Sequence, residues 1–448
     1  MSGPLIFTDK NSAISRRDFM MAASAASAWV VTGCATNPVT GESQLMLVDK
    51  NDEIAMDQKQ SPHQISADYG PSGDRMLAAY ISDVGNRLSS LSHRPDMPYS
   101  YRVVDATYVN AYAFPGGTIA TTRGIMASLE DEAALAALLG HEIGHVNARH
   151  TASRMSKALL TQLAVVGLVV VAASQDENMA PLAAGLGALG AGALLAKYSR
   201  DDERQADALG MEYMVKGGHN PQGMVGLMDV LRSMNKHKPN ALEKMFSTHP
   251  MSDERYATAV NRISAEYSDA KSLALGKERY MDNTANIRKI KPALELMQKG
   301  ESSMMKKKYS SAEGQFSSAL KKAPDDYAGN LMMAKCQLAQ KKHKSAKQYA
   351  QKAKSIKPSE AQSNHVLGMA NLFMKNYSGA YGAFQEYERT LPGNPSTVFM
   401  KGLAADGMGD RRRAAAEYMK YYKVDKSTKQ GQFAGKRLLE WGYLKQGK

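Results

Sequence analysis

The chain is poor in cysteine and in aromatic residues, and each shortage excludes a class of protein. It has only two cysteines, Cys34 and Cys336, in 448 residues, which excludes a disulfide framework and a multi-cysteine zinc site. Aromatic residues make up 7% of the chain, and no base-stacking motif accompanies its basic residues, so nucleic-acid binding is not expected. With 43% hydrophobic and 23% charged residues, the chain is typical of a folded protein of two or three domains.

Acidic residues are scarce in only one part of the chain. The formal net charge is +13. Residues 34–284 carry 23 basic and 29 acidic side chains, whereas residues 285–448 carry 31 basic and 13 acidic ones. An electrostatic partner is therefore expected to bind the C-terminal third, and an acidic protein surface or anionic membrane lipid would fit that charge.

The N-terminal segment has the features of an export signal. Arg16 and Arg17 precede an apolar run at 21–31 that is too short to span a bilayer, and this order is typical of a twin-arginine signal. Residues 31–34, Val-Thr-Gly-Cys, resemble a bacterial lipobox, in which the cysteine is acylated and becomes the new N-terminus. We therefore expect removal of 1–33 and a periplasmic protein anchored by a lipid on Cys34, with Ala35 favouring the outer membrane. A generic basic leader and a free thiol are the alternatives.

The strongest chemical motif is His-Glu-Ile-Gly-His at 141–145. Its helix is predicted to begin near Ser128, with Ser128 and Asp131 as a variant of the capping box. Histidines four residues apart project from one face of a helix, so both imidazoles can bind one metal ion. Glu142 lies beside them, where it can take a proton from a water that the ion activates. An exposed helix rich in His and Glu is the alternative interpretation.

Two candidates could supply a third ligand. His150 is five residues after His145, which on a continuous helix turns it away from the ligand face. Glu203 and Asp207 are four residues apart on a second predicted helix and face the same way. One of these two carboxylates can bind the ion, while the other accepts the N–H of a ligand histidine from behind.

These motifs together resemble the gluzincin family of metallopeptidases that includes the CAAX prenyl endopeptidases, HtpX and BepA-type proteases. The resemblance rests on the 141–145 motif followed by R-x-x-E-x-x-A-D at 200–207, and it covers about residues 37–265. Further matching segments lie at 37–41, 44–48, 110–117 and 248–250 with Arg255. The twin-arginine lipoprotein signal and an apolar segment described below depart from the BepA-type pattern.

The resemblance implies a fold, a cofactor and a set of site residues. The expected fold is mainly α with a small β-sheet (α+β): a gluzincin-type zinc protease domain at 34–275, followed by an α-helical solenoid. One Zn²⁺ per chain is expected, with a catalytic base beside it and an edge strand that pairs with the substrate backbone. The implied residues are the zinc ligands His141, His145 and Glu203; the base Glu142; Asp207 behind the ligands; the catalytic residues His249 and Arg255; and the substrate strand Asn110, Ala111, Tyr112 and Ala113. A purely structural role for His249, which precedes Pro250, is the alternative.

Between the two ligand segments lies a predicted apolar helical hairpin at 158–196. Its arms, 158–174 and 179–196, are separated by the polar residues 175–178, and each arm is close to the length that crosses a membrane. Twin-arginine export carries folded proteins, so we favour a hairpin that is buried or lies on a membrane surface over a true span. A hairpin that spans the membrane would instead indicate an intramembrane protease.

The C-terminal third repeats with a period of 34 residues. Pro324, Pro358 and Pro392 recur at this spacing, as do Ala312, Ala346, Ala380 and Ala414. This pattern is typical of tetratricopeptide repeats (TPRs). We predict a linker at 276–290 and a TPR domain at 291–448, with a fourth repeat at 396–426 that lacks its closing proline and a capping helix at 430–443. Such arrays present a concave groove, which we expect to bind envelope assembly proteins.

The sequence therefore predicts an exported zinc-dependent metalloendopeptidase that cleaves unfolded or misassembled envelope proteins and binds partners through its repeats. The resemblance implies a role in the quality control of outer-membrane proteins. The alternative is a chaperone-like TPR assembly factor whose protease site is largely latent.

Overall fold

A computed structural model describes residues 34–158, 197–237, 245 and 247–445. The predicted signal segment, 1–33, and the predicted hairpin, apart from residue 158, lie outside the described residues. Within the described ranges, no helix is long and apolar enough to cross a membrane. Mostly helical elements surround one small sheet, which confirms the predicted fold class.

Two groups of strands form in the N-terminal part. β1 (Cys34–Thr36) and β2 (Ser43–Leu45) form an antiparallel hairpin. The second group, β3 (Ser100–Val104), β4 (Ala111–Ala113) and β5 (Thr118–Thr122), forms a sheet in the order β3-β5-β4. β3 is parallel to β5 and β4 is antiparallel to it. β4 is therefore an edge strand of the described sheet.

The helices of this part surround one long buried helix. They are α1 (Lys50–Ala67), α2 (Arg75–Ser89), α3 (Arg123–Met126), α4 (Glu132–Asn147), α5 (Arg200–Lys216), α6 (Gln222–His237) and α7 (Asp253–Glu266). Every residue of α4 is buried, which an Ala-, Leu- and Gly-rich helix achieves by packing on all sides.

The start of α4 differs from the prediction. The Asp131 side chain accepts a hydrogen bond from Ala134 N and caps the helix. Ser128 Oγ instead donates to Gly124 O in the preceding short helix. The predicted pairing of Ser128 with Asp131 is therefore wrong, because Ser128 completes α3 and Asp131 alone begins α4.

The predicted linker at 276–290 is helical rather than extended. It forms α8 (Lys277–Asn283) and α9 (Ala285–Lys289). The Tyr280 side chain is fully buried, and its hydroxyl donates to Met126 O at 2.6 Å. The linker thus packs against the N-terminal part.

Within the described residues 291–445, nine helices follow as four pairs and one final helix. They are α10 (Lys291–Met305) with α11 (Tyr309–Lys322), α12 (Tyr327–Ala339) with α13 (His343–Ile356), α14 (Ala361–Phe373) with α15 (Tyr377–Thr390), α16 (Pro395–Gly407) with α17 (Arg411–Val424), and α18 (Lys429–Glu440). Each predicted proline follows the second helix of its pair. Cys336 is a buried free thiol.

Buried ion pairs join the repeats to the N-terminal part. Arg123 Nη1 lies 2.5 Å from Asp326 Oδ2, and both side chains are almost completely buried. Lys357 forms an ion pair with Asp105, and Arg123 Nη2 donates to the Asp105 carbonyl at 2.8 Å. Burial alone would lower the pKa of Arg123, but the two carboxylates raise it. The guanidinium therefore stays charged, and the loss of either partner would leave a buried charge unpaired.

The inner face of the first three repeats contacts the chain's own N-terminal part. Glu301 bonds Thr107 and Tyr69, Lys335 lies 4.7 Å from the Tyr69 ring centroid, and Gln362 donates to Ser66. All three contacts come from the first helix of a repeat. The expectation of a groove free for partners therefore needs correction, because this part of it is already filled.

Close helix packing in the third repeat yields a stability prediction. A Cβ at Gly368 would lie 2.5 Å from Cε1 of Phe384, a fully buried ring, whereas a Cβ at Gly382 would meet nothing within 4 Å. We expect Gly368→Ala to destabilise the protein by about 1–3 kcal/mol, and its control Gly382→Ala to stabilise it by up to about 1 kcal/mol. Thermal unfolding midpoints measured at one heating rate test this, and equal shifts in the two variants would contradict the packing.

Candidate metal centre

Two histidines of α4 face each other one turn apart. The Nε2 atoms of His141 and His145 are 3.1 Å apart, and their rings meet edge to face with centroids separated by 4.7 Å. Both side chains are buried. Two imidazole nitrogens thus converge on one point away from solvent.

The carboxylate of Glu203 reaches this point because α4 and α5 cross at very short range. A Cβ at Gly210 would lie 2.7 Å from the His141 amide nitrogen, and one at Gly140 would lie 2.7 Å from the Gly210 carbonyl oxygen. The two glycines therefore allow backbone contact that a larger residue would prevent. Glu203 Oε1 lies 3.4 Å from His145 Nε2, and Oε2 lies 3.6 Å from His141 Nε2.

His249 adds a fourth donor to the cluster. Its Nδ1 lies 3.0 Å from Glu203 Oε1 and 3.4 Å from His141 Nε2. The donor atoms of these residues and His145 all lie within 4.8 Å of one another, and all four residues are buried. Within the part of the chain that the structure describes, this is the one cluster of metal-ligand type.

The distances and the chemistry of this cluster fit a small divalent cation. Ligand distances of about 2.0–2.1 Å in a tetrahedron separate neighbouring donors by about 3.4 Å, close to the 3.1–3.6 Å observed among His141, His145 and Glu203. Both carboxylate oxygens of Glu142 and Nε2 of His249 are buried without a hydrogen-bond partner among the described residues. Unpaired polar atoms of this kind are costly, and they mark the side of the cluster where an ion and a substrate would be bound.

The electrostatics favour the protonation states that metal binding needs. Burial lowers the pKa of His145 well below its usual value, so the imidazole is neutral. Burial alone would raise the pKa of Glu203, but the nearby His249 and the other imidazoles of the cluster outweigh it and hold the pKa well below its usual value. Burial raises the pKa of Glu142, which makes this carboxylate a better proton acceptor.

Asp207 and Arg255 support the ligands from behind. Asp207 Oδ1 lies 2.9 Å from His141 Nδ1. Arg255 binds both oxygens of Asp207, and its Nη1 lies 2.7 Å from Glu203 Oε2. The resemblance gave Arg255 a catalytic role. The structure places its guanidinium on the ligand carboxylate of Glu203 and on the supporting carboxylate of Asp207, so we describe it as a positioning residue.

Two residues that contact His145 were missed by the sequence interpretation. Tyr198 stacks on the His145 ring with centroids 3.8 Å apart and an interplanar angle of 19°, and burial raises its pKa to about 12. His150, rejected as a ligand, lies behind His145. The rejection as a ligand agrees with the structure, but no spacing rule indicated this contact, because the chain leaves the helix before residue 150.

The predicted substrate strand, Asn110 to Ala113, includes β4. Phe114 N donates to Thr118 O, and Thr122 N donates to Asn110 O, so the even-numbered residues bond β5. Ala111 and Ala113 therefore direct their N–H and C=O groups to the opposite side. Both are buried, so a substrate that paired there would have to displace the groups covering them.

Comparisons with known proteins agree with this architecture. The model of the family described as peptidase family M48 matches residues 76–263, and a tetratricopeptide repeat model matches residues 303–367. The beta-barrel assembly-enhancing protease of Yersinia pestis is 31% identical over 196 residues, which is 43% of this chain and 40% of that protein. The metalloprotease YcaL of Escherichia coli is 30% identical over 207 residues, which is 46% of this chain and 75% of that protein.

The fold and the cluster define a metallopeptidase-type domain joined to a TPR array. The chain belongs to peptidase family M48, which confirms the family resemblance. It spans two fifths of the length of the beta-barrel assembly-enhancing proteases that it matches.

The cluster predicts the result of removing one ligand. Among the described residues, Glu203 is the only carboxylate within ligand distance of both histidines. Glu203→Gln should therefore lower the affinity for a divalent metal ion by more than the loss of a supporting partner does, which costs about 10–100-fold. Glu212→Gln is the matched control on the same helix, since Glu212 only pairs with Lys216 near the surface. Metal per chain after dialysis, measured by elemental analysis, tests this. Equal metal in the two variants would contradict the ligand assignment.

Proposed function

We propose that the protein is a zinc metalloendopeptidase. The observation that carries this proposal is the buried set His141, His145 and Glu203 with the unpaired carboxylate of Glu142 beside it. Two imidazoles and one carboxylate are a typical ligand set for catalytic zinc, which keeps a further position open. His249 would either occupy that position or move away from it.

The residues of the chain divide the chemical work. A bound zinc ion would supply Lewis-acid polarisation of the peptide carbonyl and a lowered pKa for water. Glu142 would take the proton from the attacking water and deliver it to the leaving amine as the C–N bond breaks. His141 and His145 would hold the ion, and Asp207 would fix the orientation of His141. The products are a carboxylic acid and an amine.

The substrate is proposed to be an unfolded or misassembled envelope protein. An extended peptide that displaced the groups covering Ala111 and Ala113 could pair with the outer side of β4 by β-augmentation, which favours unfolded or strand-like segments. The printed name of the Yersinia pestis relative, a beta-barrel assembly-enhancing protease, supports a role in outer-membrane protein quality control.

The location and partners are proposed from the sequence. Twin-arginine export and acylation of Cys34 would place the protein in the periplasm, anchored to the membrane and most simply to the outer membrane. The predicted hairpin at 158–196 would lie against the protein or on the membrane surface. TPR-mediated binding of envelope assembly proteins would use surfaces other than the inner face already filled in repeats one to three.

A chaperone-like assembly factor with a latent protease site is the second candidate. It is favoured by the burial of Ala111 and Ala113 and by the presence of His249 among the ligand atoms. Both features oppose substrate entry in this conformation. The two candidates differ in whether cleavage is needed for the cellular role.

The Glu142→Gln variant tests the proposal. The amide cannot accept the proton, so casein cleavage should fall by at least the ~10²–10⁴-fold that a general base contributes, with zinc per chain unchanged. Glu212→Gln again serves as the control. Cleavage that survives in Glu142→Gln would contradict the assignment of the base, and restored envelope integrity by this variant in a deletion strain would favour the chaperone-like factor.

A further inference from the structure

His150 bonds the side of His145 that faces away from the metal cluster. The Nδ1 atoms of the two rings are 2.8 Å apart, and His150 Nε2 lies 3.0 Å from Gln205 Oε1. Both histidine side chains are buried. A chain of three side chains thus runs from α5 to the back of a ligand residue on α4.

A break in the helix puts His150 in this position. α4 ends at Asn147, and Arg149 adopts the left-handed conformation with φ of 57°. This conformation is strained for a residue other than glycine, so other contacts must hold it. Arg149 Nε bonds the buried carboxylate of Glu53 at 3.1 Å, and its Nη2 donates to Val48 O at 2.6 Å. The backbone therefore changes direction at residue 149. His150 then lies next to His145, whereas on a continuous helix it would point away from it.

The partners of each ring nitrogen assign the protons. Gln205 Oε1 can only accept, so His150 Nε2 carries a hydrogen and donates it. The two Nδ1 atoms are 2.8 Å apart, so one hydrogen lies between them. A neutral His150 that already donates from Nε2 has a bare Nδ1, which accepts. His145 must then carry its hydrogen on Nδ1, which leaves a lone pair on Nε2. That lone pair points to His141 Nε2 and Glu203, where a cation would be bound.

The two ligand histidines therefore have different supports. Asp207, a carboxylate, holds His141 Nδ1, whereas a neutral imidazole holds His145 Nδ1. Tyr198 stacks on the face of the His145 ring and restricts its tilt but bonds neither nitrogen. The hydrogen bond from His145 to His150 is thus the contact that selects the tautomer.

We propose that His150, itself held by Gln205, is a positioning residue that fixes the tautomer and orientation of His145 so that Nε2 binds the metal ion. This inference rests on the proposed function, because it concerns the same zinc site. It also explains why Arg149 adopts a strained conformation and why the buried carboxylate of Glu53 bonds it.

Zinc affinity of the purified full chain, measured by chelator competition, tests the proposal. His150→Leu should weaken zinc binding by about 10–100-fold, the usual effect of losing a residue that supports a ligand, and should change the visible spectrum of the Co²⁺-loaded protein. His150→Gln should restore most of the affinity, since its amide oxygen can accept from His145 and its amide nitrogen can donate to Gln205. The matched control is His219→Leu, another buried histidine, which lies near Glu132 at the far end of α4.

The outcomes separate positioning from simple destabilisation. Support requires that His150→Leu and His219→Leu shift the thermal midpoint in EDTA similarly while only His150→Leu loses zinc affinity. If both lose the same affinity, or if His150→Leu keeps wild-type affinity and cobalt spectrum, the proposal is overturned. Should His150→Leu not fold, Gln205→Leu decides in the same way at a half-buried position. The same series measures zinc binding by the wild type. If the wild type does not bind zinc, the proposed function is overturned instead.

Discussion

The candidate site depends on one short-range contact, the crossing of α4 and α5 at Gly140 and Gly210. The histidine pair needs only the pitch of one helix, but the carboxylate comes from a distant segment and must reach the same few ångströms. Only hydrogen atoms separate the two backbones at this crossing. A methyl group there would push α5 away, and Glu203 would lose its position between the two imidazoles. The geometry of the cluster therefore depends on the lack of side chains at Gly140 and Gly210 as much as on the ligand residues.

Charge balance allows the ionisable groups at this crossing to be buried. Glu203, Asp207 and Arg255 are three ionisable groups packed together, and burial opposes the charged state of each. They remain charged because each carboxylate is paired with a cation or a histidine N–H at 2.6–3.0 Å. Glu142 is the exception, with no bond on either oxygen among the described side chains. Glu142 Oε1 lies 3.7 Å from His249 Nε2, beyond hydrogen-bond distance, so this carboxylate is available as a proton acceptor where the chemistry would occur.

Local patterns predicted more of the molecule than long-range ones. The 34-residue period predicted the repeats, because each helix pair is specified by its own small residues and prolines. The spacing of His141 and His145 predicted their convergence, because four residues are one helical turn. The same reasoning could not find the contact of His150 with His145, since it assumed a continuous helix and the left-handed Arg149 ends it. The helical linker depends likewise on packing between segments, which a single local pattern does not contain, whereas the start of α4 is a local cap by Asp131 on Ala134 N.

The docking of the repeats on the N-terminal part limits how the two can act together. Arg123 and Asp326 form a buried ion pair across the junction, and the Tyr69 ring lies inside the repeat array beside Glu301 and Lys335. A partner that entered this inner face would first have to break buried charge pairs, at a cost of several kcal/mol for each one left unpaired. Binding to the fourth repeat, α18 or the outer helices carries no such cost. The first three repeats therefore support the protease-type domain, and a protein partner bound at the fourth repeat or α18 would leave that contact intact.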